Sequence, residues 1–114
     1  MGRYIHNLIL NGEGMQLDFK YCISDPRKIA RTLSAFSNSE GGRLLIGVRD
    51  NGSLAGVNSD EEYYMLDSAA RLYCIPEVSL TIKQHNINGK NIIEAEVPKC
   101  EVRPVKAKDD DGKW

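Results

Sequence analysis

The segment FSNSEGGRLLIGVRDNGSLAGV, Phe36 to Val57, decides the fold. Its apolar run, Leu44, Leu45, Ile46 and Val48, is continuous enough that Arg43 to Arg49 reads as a central strand. Gly41-Gly42 stops the preceding helix by permitting a left-handed turn and lets bare backbone enter the strand. Asn51-Gly52 is the strongest short hairpin signal, because a type I′ turn needs positive φ at both central residues. Ser53 to Val57 is then the partner strand.

Upstream, Ile5 to Leu10 is a short helix or strand. Met15 to Tyr21 alternates, with Met15, Leu17, Phe19 and Tyr21 on one face and Asp18 and Lys20 on the wetter one. Asp25-Pro26 opens a helix, since Asp25 accepts from a free amide and proline suits the first helical position. Ile29, Leu33 and Phe36 form its apolar stripe, and it stops near Asn38. Downstream, Ser59 and Glu62 make a capping box for a helix carrying Leu66, Ala69, Ala70 and Tyr73. Val78, Leu80 and Ile82 alternate, Asn88-Gly89 turns, and Ile93, Ala95 and Val97 alternate again, which gives a second hairpin. Arg103 to Lys108 reads as a further strand, followed by the acidic turn Asp109 to Gly112. The chain ends two residues later, where a partner strand is expected. Residues 1–114 therefore read as one domain, the N-terminal fragment of a longer protein.

Composition excludes several classes. At 41% hydrophobic and 27% charged, the chain has the balance of a globular protein. No run approaches the roughly 18 apolar residues of a membrane span, and a cytoplasmic location is expected. Three widely spaced cysteines with no Cys-x-x-Cys pair support neither a disulfide framework nor a zinc knuckle. His6 and His85 stand apart and read as surface histidines, and Tyr63-Tyr64 as packing or an interface.

The net charge of −1 conceals a polarity. From Lys20 to Arg49 there are six cations against two acids, and from Asp50 to Glu77 six acids against Arg71 alone. Such a distribution steers a polyanion to one face, and equally fits two solvated faces of opposite sign.

The pattern Glu13-x4-Asp18-Phe19-Lys20, followed by Ile29 to Val57, resembles the Schlafen AlbA-type domain, also called divergent AlbA. That family usually reads Glu-x4-Glu-Phe-Lys, then Ala-Phe-Ala-Asn-x-x-Gly-Gly, then Gly-Val-x-Asp-x-Gly. The resemblance covers Gly12 to Val97. It departs at Asp18, where glutamate is usual, at Arg49, where an acid is frequent, and at Ser37, where a small residue such as alanine stands.

The resemblance implies an α+β fold, a mixed or antiparallel sheet with two main flanking helices. It also implies a DNA-binding module of bacterial transcriptional-regulator-like proteins. Lys20, Arg27, Lys28, Arg31, Arg43 and Arg49 are then phosphate contacts, with Gly41 and Gly42 offering close backbone approach. Phe19, Tyr21 and Phe36 read as core, so base stacking is not indicated. Members are often labelled ATP-binding, yet no G-x-x-x-x-G-K-[ST] occurs here.

An alternative implied by the eukaryotic relatives is a metal-dependent ribonuclease using Glu13, Asp18 and Asp50. Three carboxylates about 5 Å apart repel by roughly 3 kcal/mol per pair, so they would need Mg²⁺ or Mn²⁺ between them. Under the nucleic-acid-binding reading no cofactor is required, and the same acids are a turn residue, a partner of Lys20 or Arg43, and a cap of the Asn51-Gly52 turn. A third reading is a homo-oligomerisation module whose exposed strand edge is covered by a second copy.

Overall fold

Leu44, Leu45 and Ile46 have no solvent exposure at all, and their alternation across one strand builds two cores. Leu44 and Ile46 face a large cluster with Ile29, Leu33, Phe36, Leu66, Ile93 and Val97. Leu45 faces a smaller one with Ile5, Phe19, Ile87 and Ile92. Each such side chain contributes about 1.5–3 kcal/mol when fully buried, and a strand buried on both faces has no reason to alternate in polarity.

The computed structural model describes residues 2–11, 16–101 and 104–108. In chain order the elements are α1 (Gly2–Asn11), β1 (Leu17–Lys20), α2 (Pro26–Ser37), β2 (Gly42–Ile46), α3 (Ser59–Leu72), β3 (Cys74–Ile75), β4 (Thr81–Ile87), β5 (Lys90–Val97) and β6 (Lys106–Ala107). The main sheet has the order β1-β2-β5-β4. β1 and β2 are parallel, joined by the α2 crossover, and the other pairs are antiparallel. β3 and β6 form a separate two-stranded sheet. Helices α2 and α3 cover one face of the main sheet and α1 the other, an α+β architecture as the resemblance implies. Among the described residues there are three helices, α2 and α3 being the two main flanking ones, and none is long and apolar enough to cross a membrane.

The ambiguous start resolves as a helix because Ile5, Leu8 and Ile9 fall on one stripe against the sheet. Asp25 caps α2 by accepting from the Arg27 amide at 2.9 Å, with Pro26 at the first position, and Asn38 is its C-cap. The Asn88-Gly89 turn has positive φ at both residues, 53° and 81°, and links β4 to β5 in the expected two-residue hairpin.

Three local expectations are corrected. At Asn51-Gly52 only Gly52 is left-handed, with φ 87°, and its amide donates to Arg49 O at 2.8 Å. Asp50, Asn51 and Gly52 therefore form a three-residue loop rather than a type I′ turn, and Ser53 to Val57 makes no strand, returning along Val48 and Arg49 through the bridge Val48–Leu54 and the bond from Arg49 N to Ser53 O. The cap of α3 is Asn58, whose Oδ1 accepts from the Glu61 amide at 3.2 Å, so Ser59 and Glu62 form no capping box. Glu62 turns inward instead. The last strand is shorter than Arg103 to Lys108, and Arg103 and the turn at 109–112 lie outside the described residues.

Candidate functional site

The parallel pair β1-β2 separates the sequence-predicted basic residues into two groups. At the C-terminal ends of the strands, Lys20 O accepts from the amides of Gly47 at 2.8 Å and Val48 at 3.2 Å, which ties the two strand ends together. Directly beyond stand Tyr21 and Arg49. The Arg49 guanidinium carbon lies 5.6 Å from the Tyr21 ring centroid, and its Nη1 donates to neutral oxygens, Ser53 Oγ and Leu54 O, both at 3.4 Å. Because α2 starts a few residues after β1, its first turn with Arg27 and Lys28 lies at this same end, and Arg31 follows one turn later.

Carboxylates temper this charge. Lys20 pairs with Asp18 at 3.4 Å and Arg27 with Asp25 at 3.3 Å. The hydrogen bond from the Arg27 amide, then that from its side chain, holds the Asp25 carboxyl below its ordinary value. Lys28 and Arg49 are exposed with no carboxylate in ion-pair distance among the described residues. The first turn of α3 borders the same end with Asp60 and Glu61 exposed, and Glu62 is buried with its Oε2 accepting from the Ile23 amide at 3.0 Å. Burial raises the Glu62 carboxyl, partly offset by that amide.

Gly41, Gly42 and Arg43 form the second group, at the opposite end of β2. Arg49 lies six positions after Arg43, up to about 20 Å along an extended chain. Gly41 does not present an open amide, and both glycines sit where close packing needs them. Gly41 is buried, donates its amide to Phe36 O at 2.9 Å, and a β-carbon there would stand 2.7 Å from Val97 O. A β-carbon on Gly42 would meet the Phe36 ring at 2.5 Å. Arg43 is held by Glu94, with Nε 3.2 Å from Oε2, an ion pair without hydrogen-bond alignment.

Glu94 is the anchor that sequence reasoning missed. It is 2% exposed, receives the Tyr4 hydroxyl from α1, and bonds His85 Nε2 at 3.0 Å. Burial pushes its carboxyl pKa up, but the bonds from Tyr4 and His85 and the charges of His85 and Arg43 outweigh this and hold it below the ordinary value. With Glu94 ionised, Nε2 of His85 carries the proton, and Nδ1 is buried without a partner. His85 is therefore core, not a surface histidine, whereas His6 is exposed. In the sequence Glu94 and Glu96 alternate with Ile93, Ala95 and Val97 like a wet face. Glu94 is buried because α1 covers that face.

Of the proposed carboxylate triad, Glu13 lies outside the described residues, Asp18 is paired with Lys20, and Asp50 is exposed in the Arg49–Gly52 turn. Among the described residues no three His, Cys, Asp or Glu side chains converge to hold a metal ion. Phe19 and Phe36 are buried as expected. Tyr21 is not; it is 59% exposed, because β1 ends at Lys20 and the alternation stops with it. Tyr63 and Tyr64 are both exposed on α3.

Comparison with known proteins adds the lineage. The family model described as Schlafen, AlbA_2 matches residues 13–114. No curated protein matches the chain. Among solved structures, the N-terminal domain of an ATP-dependent DNA helicase RecG-related protein from Nitrosomonas europaea superposes with a TM-score of 0.72 at 20% identity, covering 94% of this chain and 80% of that one. The DIP2311 protein from Corynebacterium diphtheriae has a TM-score of 0.60 at 15% identity, covering 82% of this chain and 22% of that one. At these identities the two neighbours share the fold with this chain.

Proposed function

The chain belongs to the Schlafen, AlbA_2 family, and from that premise we propose that it is a nucleic-acid-associated module that holds the sugar-phosphate backbone at the C-terminal ends of β1 and β2. The observation that carries this reading is the gathering of Lys20, Arg27, Lys28 and Arg49 at one strand end, with Lys28 and Arg49 free of carboxylate partners among the described residues. Open α/β units bind ligands at the carboxyl ends of their parallel strands, and the amide dipoles of the α2 N-terminus add positive potential there. The acidic first turn of α3 repels phosphate from the adjoining side, which confines a strand to the β1–α2 side of the end.

Arg43 is not among the contacts in this reading, because Glu94 already neutralises it. The finer role is that of a DNA-binding, N-terminal part of a longer regulator. It is supported by the occurrence of this fold as the N-terminal domain of the RecG-related protein and as 22% of DIP2311.

Duplex binding measured by fluorescence anisotropy between 50 and 200 mM salt tests the proposal. Four phosphate contacts give a log-log slope of about −3.6 on B-DNA and about −2.8 on a single strand. Lys28→Ala and Arg49→Ala each make the slope shallower by about 0.9 on duplex, and Arg43→Ala leaves it unchanged. A flat salt dependence in the unmodified chain defeats the reading.

A further inference from the structure

Resting on the phosphate-binding reading above, we propose that Tyr21 and Arg49 form a stacking platform for an unpaired base, so that the ligand of this strand end is single-stranded nucleic acid. A tyrosine 59% exposed at a strand terminus buries little ring surface. Burial alone gives little reason for an aromatic there. A base, however, has two π-faces, and an exposed ring takes one of them regardless of base identity.

The Arg49 guanidinium over the ring, at 5.6 Å, turns an isolated aromatic into a two-part surface. Among the described residues this is the ring with a cation over it; Tyr63 and Tyr64 are equally exposed without one.

The platform is pre-organised. Arg49 N donates to Ser53 O at 2.9 Å, and Asn51 Oδ1 accepts from both the amide and the hydroxyl of Ser53, at 2.9 and 2.8 Å. Ser53 Oγ and Leu54 O then hold the guanidinium itself. A side chain fixed before the ligand arrives loses little freedom on binding.

Lys20 precedes Tyr21 in the chain and is 41% exposed, so a phosphate and the base it carries can be met by adjacent residues. Inside a duplex both faces of a base are occupied by its neighbours, and the platform has nothing to stack on. Neither a phenol nor a guanidinium distinguishes ribose from deoxyribose, so the shared chemistry is an unpaired base next to a phosphate.

The test compares the 114-residue chain and its variants on four fluorescent ligands: a 12-nucleotide DNA strand, the same sequence as RNA, a 12-nucleotide abasic DNA strand, and the DNA duplex. The expected result is tighter binding of one or both base-bearing single strands than of the abasic strand. Tyr21→Ala weakens base-bearing strands by about 5- to 150-fold and leaves abasic and duplex affinities unchanged, while Tyr21→Phe restores them. A 2-aminopurine in the strand is quenched on binding by the unmodified chain and not by Tyr21→Ala. Equal affinity for abasic and base-bearing strands, or a Tyr21→Ala loss shared equally by duplex, overturns the platform and leaves phosphate binding standing. Absence of binding to every one of these polyanions at low salt overturns both.

Discussion

The ring of Phe36 fills the space where Gly42 would carry its β-carbon, at 2.5 Å from that position. The paired glycines thus serve packing. Gly42 lets the last turn of α2 lie directly on the entrance of β2, and Gly41, buried with φ 83°, brings the chain against the carbonyl of Val97. A contact of 2.5 Å has no accommodating rotamer nearby when the obstacle is a core ring. Gly42→Ala is expected to destabilise the fold by about 1–3 kcal/mol. Urea denaturation checks this, and Phe36→Leu in the Gly42→Ala background recovers part of the loss, a coupling that independent sites do not show.

Glu94 joins α1 to the sheet through Tyr4, and carries His85 and Arg43 as well. Its folded-state pKa is depressed, so its stabilisation is complete above the ordinary carboxyl value of 4.5 and is lost as pH falls through the lower folded value. Denaturant midpoints between pH 7 and pH 3 follow this loss, and Glu94→Gln flattens it. Glu94→Ala leaves the buried His85 ring and the Tyr4 hydroxyl without their shared partner and costs about 1–3 kcal/mol.

Glu62 has the opposite sign. Burial raises its pKa, so the folded state favours the protonated carboxyl; that contribution is present below 4.5 and lost as pH rises through the folded value. Glu62→Gln retains an oxygen for the Ile23 amide and removes the buried charge. It is expected to be at least as stable as the unmodified chain at pH 7, measured by thermal melting. Glu62→Ala orphans the amide and costs about 1–3 kcal/mol.

The start of α3 discriminates two caps. Asn58 Oδ1 accepts from the Glu61 amide, and Ser59 Oγ is buried with no partner among the described residues. Asn58→Ala is expected to cost about 1 kcal/mol and Ser59→Ala close to nothing. Chemical denaturation of the two single variants separates the observed cap from the capping box the sequence suggested.

Legibility differed by the kind of interaction. The capping of α2 by Asp25-Pro26, the β4–β5 turn at Asn88-Gly89 and the central strand at Leu44 to Ile46 all follow from residues close together in the chain, and all are readable there. The family pattern was readable for the same reason, since its motifs are short and contiguous. The Arg49 turn is not legible because Asn-Gly fits two turn types, and only the pairing of Val48 with Leu54 selects between them.

The cations of residues 20–49 were legible as a charge but not as a place. Six of them in thirty positions look like one cluster in the sequence, yet a parallel strand pair sends Arg49 to one end and Arg43 to the other. Linear order therefore determined which elements form, because helix stripes, caps and turns are decided by neighbours within a few residues. Only the tertiary structure decided that Glu94 and His85 are interior and Tyr21 is exposed. Burial depends on which distant segment covers a face: α1 lies over β4 and β5 in the first case, and in the second β1 ends at Lys20, leaving Tyr21 59% exposed.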